Sequence, residues 1–194
     1  MSMFPTFAAA ALTVFLTGCS THQASLEYDP RRAPGLTADG RGNVSVGVFK
    51  DARGVPDTYL GQIREAGPVQ KKLETSVPVA RIVENTFGYG MQVRRMLGQQ
   101  GTGFLLSGTI NEFSCDQFVR AGASADITVQ LRGTRGNRVL FSKTYTAENT
   151  EATAKIGVLG DPQILKSLAS RTLQQVVDKA LDDPELRGIT DGDE

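Results

Sequence analysis

Eight consecutive residues, Ala125-Asp126-Ile127-Thr128-Val129-Gln130-Leu131-Arg132, alternate apolar and polar without a break. Only an extended chain puts every second side chain on the same side; wound into a helix, the same order would scatter the apolar groups around the axis. The run therefore dictates a strand that is buried on one side and wet on the other, and the rest of the chain must cover a single sheet face. Three other stretches follow the same rule. Asn43 to Phe49 alternates with period two. Phe104 to Phe113 places Phe104, Leu106, Gly108 and Ile110 on one face. After a turn at Gly133-Thr134-Arg135-Gly136-Asn137, a last strand carries Val139, Phe141 and Tyr145.

Helical spacing supplies the cover. Behind Ser76-Val77-Pro78, which suits a helix start with Ser as cap and Pro in the first turn, Val79, Ile82, Val83, Phe87, Gly90, Val93 and Leu97 share one face, and Gly98 ends the run. Gly88 and Gly90 each weaken a helix by about 1 kcal/mol relative to Ala, so the expectation is that they let a neighbouring backbone come close. Asp161-Pro162 caps a second helix with the stripe Leu165, Leu168, Ala169, Leu173, Val176 and Ala180. The resulting fold class is α+β: a single domain with a four-stranded mixed sheet, ordered β-α-β-β-β-α, and two helices on one face. The first helix is long enough for a parallel crossover between the first two strands. Ser45, Ser107, Thr109, Thr128, Gln130, Ser142, Thr144 and Thr146 fall on the other face, solvated by default. Lys50 to Thr75 lacks periodicity and reads as one long loop, a kind of segment that is usually functional or mobile.

Ahead of this domain, Phe7 to Leu16 is uncharged and largely apolar and closes on Leu16-Thr17-Gly18-Cys19. That pattern reads as a secretory signal ending in a lipobox, too short for a transmembrane helix of about 20 residues. No Lys or Arg precedes it. The expected organisation is a signal peptide over 1–18, a lipidated tether over 19–42, a globular domain over 43–181 and a fraying acidic tail over 182–194. Cleavage before Cys19 would leave that cysteine to carry fatty acyl chains such as palmitate, and several chains together hold firmly to a bilayer. A flexible tether of that length spans roughly 25 Å.

The remaining chemistry is sparse. Of 194 residues, 21 are basic and 21 acidic, which leaves no electrostatic footprint for nucleic acid. The one histidine, His22, falls in the expected tether, so the globular domain lacks the base of a Ser-His-Asp or Cys-His site and any histidine zinc ligand. Cys115 has no partner if Cys19 is acylated, and reads as a small buried residue. Asp51, Asp57, Glu65 and Glu74 could be paired for glycoside hydrolysis, but nothing fixes their separation and the chain has no Trp. Gly88-Tyr89-Gly90 and Gly101-Thr102-Gly103 continue into neither a dinucleotide fingerprint nor a phosphate loop. No cofactor, no metal and no enzymatic activity are expected.

The lipobox, the Val44-to-Arg53 segment, the helix to Leu97, the strand Phe104-Leu105-Leu106-Ser107-Gly108-Thr109-Ile110 and the terminal helix together resemble the YajG-like family of small bacterial envelope lipoproteins. Val48-Phe49-Lys50-Asp51-Ala52-Arg53 is similar to an F-x-D-x-R segment of related envelope lipoproteins. Leu106-Ser107-Gly108-Thr109-Ile110 resembles a strand of transport-auxiliary lipoproteins and of TolB amino-terminal-like domains. The resemblance implies a non-enzymatic binding or scaffolding role in the envelope, attached to the membrane through Cys19 and facing an envelope protein or cell-wall partner. The lack of Asp after Cys19 implies outer-membrane sorting. No catalytic residue is implied. Candidate partner contacts are Asp51, Arg53, Tyr59, Leu60 and Ile63 in the 51–75 segment, together with the Ser/Thr-rich sheet face. An auxiliary subunit of a lipid or solute transporter is the alternative and would need an enclosed apolar groove; an envelope hydrolase would need converging carboxylates.

Overall fold

In a computed structural model of the chain, residues 21–33, 38–64, 70–99, 101, 103–117, 120–135, 137–151 and 161–192 are described. The alternating run belongs to a longer strand, β6 (Ala121–Gly133), in which every odd residue is buried and every even one half-buried. It pairs antiparallel with β5 (Phe104–Gln117) on one side and β7 (Val139–Glu151) on the other. β2 (Val44–Asp51) runs parallel to the first half of β5, so the expected parallel crossover through the first helix and the antiparallel meander after it are both present.

Among the described residues the sheet has seven strands rather than four. The segment expected as a long loop holds a hairpin, β3 (Tyr59–Arg64) and β4 (Gln70–Thr75), and the expected tether holds β1 (His22–Ala24), parallel to β4. The order is β1-β4-β3-β5-β6-β7, with β2 on β5. Leu73 is the only apolar residue of β4, too few for a period to be visible. Main-chain pairing, not a stripe, makes it a strand.

α1 (Val79–Val93) packs on β2, α2 (Pro162–Leu181) on β5 to β7, and the two helices touch. Ser76 is not the cap of α1. Pro78 stands there without a side-chain bond, and the Val79 N–H donates instead to the Asp57 carbonyl at 2.8 Å. Nor does Gly98 end the helix. Arg95, at φ 58°, takes the left-handed position of a Schellman closure, with Met96 N donating to Met91 O (2.9 Å) and Arg95 N to Gln92 O (3.0 Å). α2 begins as expected, Asp161 accepting from Gln163 N at 2.8 Å. The tail does not fray over α3 (Pro184–Asp191), whose Leu186 is fully buried. Gly90 does allow close packing, since a Cβ there would meet Leu181 and Val177 at 2.8 and 2.9 Å; at Gly88 the same atom would be in ordinary contact.

Candidate functional site

The 51–75 segment turns mostly inward. β2 and β3 lie along the same edge of β5, β2 against residues 104–110 and β3 reaching Gln117, which leaves the middle of that edge without a strand. Arg53 fills the gap. Its side chain is 3% exposed; the Nε–Nη2 edge of its guanidinium pairs bidentately with Asp51 (2.9 and 2.7 Å), and Nη1 donates to the carbonyls of Tyr59 (2.7 Å) and Phe113 (3.0 Å). Burial alone would push the Asp51 carboxyl up, but the Arg53 side chain and backbone N–H outweigh it and hold the group below the ordinary aspartate range. β3 then crosses so close to β5 that a Cβ on Gly61 would stand 1.9 Å from the Cys115 carbonyl oxygen. Leu60 and Ile63 are fully buried and belong to the core. Of the five expected contact residues, then, Leu60 and Ile63 are unavailable to a partner, Asp51 and Arg53 are occupied with each other, and Tyr59 is half-buried at the same junction. Cys19 lies outside the described residues, as does Glu65.

Two further polar clusters are structural. Arg94, fully buried, donates to Asp182 (2.7 Å), Asp178 (2.9 Å) and the Tyr28 hydroxyl (2.8 Å), which itself donates to Asp178 (2.6 Å). Burial, seconded by Asp178, pushes the Tyr28 phenol up to about 12. Asp183 accepts from Lys143 (2.7 Å) and Tyr145 (2.8 Å) and caps α3 through Glu185 N (2.9 Å). Cys115 is fully buried, its thiol facing the Leu165 carbonyl at 3.2 Å and pushed up to about 12 by burial, so it stays a protonated core residue. No group of three or more His, Cys, Asp or Glu among the described residues is placed to hold a metal ion. No helix among them is long and apolar enough to cross a membrane.

What faces outward falls into two surfaces. The outer face of β5 to β7 is polar, as expected, and knit across the strands: Asn111 donates to Asp126 (2.7 Å) and Thr128 (2.9 Å), Thr128 and Thr144 share a bond of 2.8 Å, and Ser124 reaches Glu112. Ser45 is the exception, buried and bonded to the Phe104 carbonyl at 3.1 Å. The second surface escaped sequence reasoning. β2 is covered on its outer edge at Val44 by the Met96–Gly98 segment, and beyond a bulge at Gly47–Val48 the Glu84 carboxylate accepts from Phe49 N at 3.1 Å. Val48 is 75% exposed there. Beside it runs a groove of about 440 Å³ lined by the apolar Val46, Tyr89 and Leu97 together with the polar Arg81, Glu84, Asn85 and Gln92. The signal available in the sequence was the pair of consecutive glycine-spaced apolar residues Val46 and Val48, which the alternation alone assigned to one covered face.

No protein-family model and no curated protein sequence matches the chain. Among solved structures, protein XCC0632 from Xanthomonas campestris, of the family model DUF330, superimposes with a TM-score of 0.64 at 14% identity, covering 89% of this chain and 98% of that one. That likeness shows a shared fold. Looser ones run to the PelC dodecamer from Paraburkholderia phytofirmans (TM-score 0.44, 14% identity, 71% and 86% covered) and to lipoprotein GNA1162 from Neisseria meningitidis (0.28, 12%, 70% and 97%). At those scores they carry no argument.

Proposed function

We propose that this chain is a bacterial envelope lipoprotein, held to the membrane by acyl chains on Cys19, whose domain works as a non-enzymatic binding module and receives a protein partner along the outer flank of β2. The observation that carries the reading is Val48, an apolar side chain 75% exposed on a strand edge beside a groove that Val46, Tyr89 and Leu97 help to line. Edge strands are normally guarded by charge, bulges or cover, because unpaired main-chain groups invite another chain. The contrast lies within the molecule. β7, the last strand of the sheet, carries Lys143, Glu148 and Glu151, and Lys179 from α2 caps its Thr146 carbonyl at 2.8 Å. On the β2 flank the charged groups are Lys50 on the strand and the Arg81–Glu84 pair on α1, with the bulge beside them, and Val48 stays exposed among them. Among the described residues, Arg94, Asp178 and Asp183 are buried and matched into ion pairs, and Asp183 also caps α3, which supports a structural role for these groups and leaves binding as the reading. The envelope-lipoprotein resemblance of the sequence and the lipobox support the compartment.

A photo-crosslinking residue at Val48 tests the site in intact cells. A discrete adduct there, lost when Tyr89→Ala and Leu97→Ser empty the groove and absent from the same probe at Thr144, is the expected result. Adducts at Thr144 alone would move the binding surface to the Ser/Thr face. Cys19→Ser is expected to abolish acylation and release the protein from the membrane fraction; membrane recovery of wild type with no acyl label would remove the anchor from the reading.

A further inference from the structure

The outer edge of β2 already receives an addition at two places. At Val44, residues 96–98 join it as a strand would: Val44 N donates to Met96 O (3.0 Å), Gly98 N donates to Val44 O (2.9 Å), and Val44 and Leu97 form a parallel bridge. Further along, the Phe49 N–H donates to a side chain instead, the Glu84 carboxylate, at 3.1 Å. Alternate residues turn their main chain the other way, to β5: Asn43 O accepts from Phe104 N (2.8 Å) and Ala52 N donates to Ile110 O (3.0 Å). By the same alternation Val46 faces outward with Val44. Among the described residues, β5 is the one named strand that pairs with β2.

Glu84 stands where a neighbouring strand would put a carbonyl. A ladder meets each edge N–H with an acceptor oxygen, and here α1 supplies that oxygen from a side chain. Glu84 Oε1 takes the Phe49 N–H, while Oε2 pairs with Arg81 Nη1 at 3.0 Å. The Arg81 side chain is 67% exposed, so the carboxylate can swing toward solvent and keep its ion pair. The groove of about 440 Å³ lies between α1 and this edge, with Val46, Tyr89 and Leu97 among its walls. Every second side chain of a strand falls to one side, so a strand laid along the edge would send alternate side chains into that groove. The bulge breaks the spacing between Val46 and Phe49. That excludes a long, flat strand and leaves a short one.

We infer that the partner enters as a short extended segment, pairing main chain to main chain with β2 over 46–50, and that it displaces the Glu84 carboxylate from the Phe49 N–H. The segment continues the line along β2 that residues 96–98 begin at Val44. This rests on the β2-flank reading above and adds to it the form of the partner and the residue that guards the site. The occupant's chemistry follows from the edge. It brings a carbonyl for the Phe49 N–H, an apolar side chain for the groove, and no carboxylate beside the displaced Glu84. An ionised acceptor holds an N–H roughly twice as strongly as a neutral one, so a strand that brings main-chain pairing alone, with nothing for the groove, is turned away.

The probe is a capped, uncharged pentapeptide of alternating Thr and Val, added to the full-length protein, with amide exchange over 44–52 read by mass spectrometry. Wild type is expected to bind it weakly and to show slowed exchange there. Glu84→Ala should lower the half-saturating peptide concentration by about three- to tenfold, the span of one competing hydrogen bond. Glu84→Gln keeps an acceptor oxygen and should stay within about twofold of wild type. A copy of the peptide methylated on every main-chain nitrogen should protect nothing. Absence of protection in both wild type and Glu84→Ala, or equal protection by the methylated copy, would overturn strand pairing. Glu84→Ala that binds no tighter than wild type, or Glu84→Gln that binds as tightly as Glu84→Ala, would overturn the guard. The Val48 crosslink separates this from the site itself. An adduct in cells without peptide protection would remove the mode of entry and leave the flank, whereas peptide protection without an adduct would overturn the flank as the partner's site.

Discussion

Arg53 carries a planar fork of donors into a place where β5 offers carbonyls and no strand takes them. A lysine at this position keeps the charge but loses the fork, so Arg53→Lys is expected to cost about 2–3 kcal/mol in urea unfolding, well beyond an exposed-pair loss. Its partner sets a pH dependence. The folded Asp51 carboxyl is held below the ordinary value of 3.8, so its contribution is complete above that value and drains away as the pH falls through the lower folded one. Asp51→Asn should therefore show a flatter loss of urea midpoint than wild type between about pH 4 and pH 2, and a lower plateau at neutrality. The sequence offered the Asp51–Arg53 spacing and marked the pair as a surface contact. It could not show that two strands share one edge of β5, and that sharing is what draws the guanidinium inside. Arg95 makes the converse point. It is exposed yet held at φ 58°, a conformation that costs a non-glycine residue about 1 kcal/mol. Arg95→Gly should raise stability by about 0.5–1 kcal/mol, read as a higher melting temperature with an unchanged urea slope.

The same dipeptide starts three elements. Asp29-Pro30, Asp161-Pro162 and Asp183-Pro184 open the short 3-10 turn Pro30–Arg32, α2 and α3, and in each the Asp side chain accepts the N–H two residues on. Only the middle one stands before a long apolar stripe, so only that one was legible as a helix start. The tail reads as acidic and glycine-containing, yet Leu186 and the Asp183 network dock it. The two helix caps should therefore differ in cost. Asp161→Ala removes an exposed cap and should cost about 1 kcal/mol. Asp183→Ala also leaves the buried Tyr145 hydroxyl and Lys143 without their acceptor and should cost about 2–4 kcal/mol, with early loss of amide protection over 184–191. Where a strand buries one full face, as β6 does, its period is written in the residues. Where pairing alone supports it, as in β1 and β4, no local pattern exists to read.

At the scale of the molecule, the consequence is where the domain begins. Residues 22–32 are bound along their length: β1 adds to the sheet with Ala24 buried, Asp29 exchanges hydrogen bonds with Gln174 through both its N–H (3.1 Å) and its carbonyl (2.7 Å), and Tyr28 closes the Arg94 network. Composition made this stretch a tether because its apolar residues are few and unspaced; what holds it is main-chain pairing and one tyrosine, neither of which leaves a periodic trace. A tether can be deleted at no cost to stability, and this segment cannot. Removing residues 21–33 strips the cover from the α1–α2 cleft and takes a hydrogen-bond partner from a fully buried guanidinium, for an expected loss of about 3–5 kcal/mol. For a domain of this size that is a fall in melting temperature of roughly 6–20 °C. Tyr28→Phe keeps the ring and removes the hydroxyl alone, and should account for about 1–2 kcal/mol of the total. Calorimetry of the two variants beside wild type separates the contributions. A deletion that melts within about 1 °C of wild type would return the segment to the status of a linker.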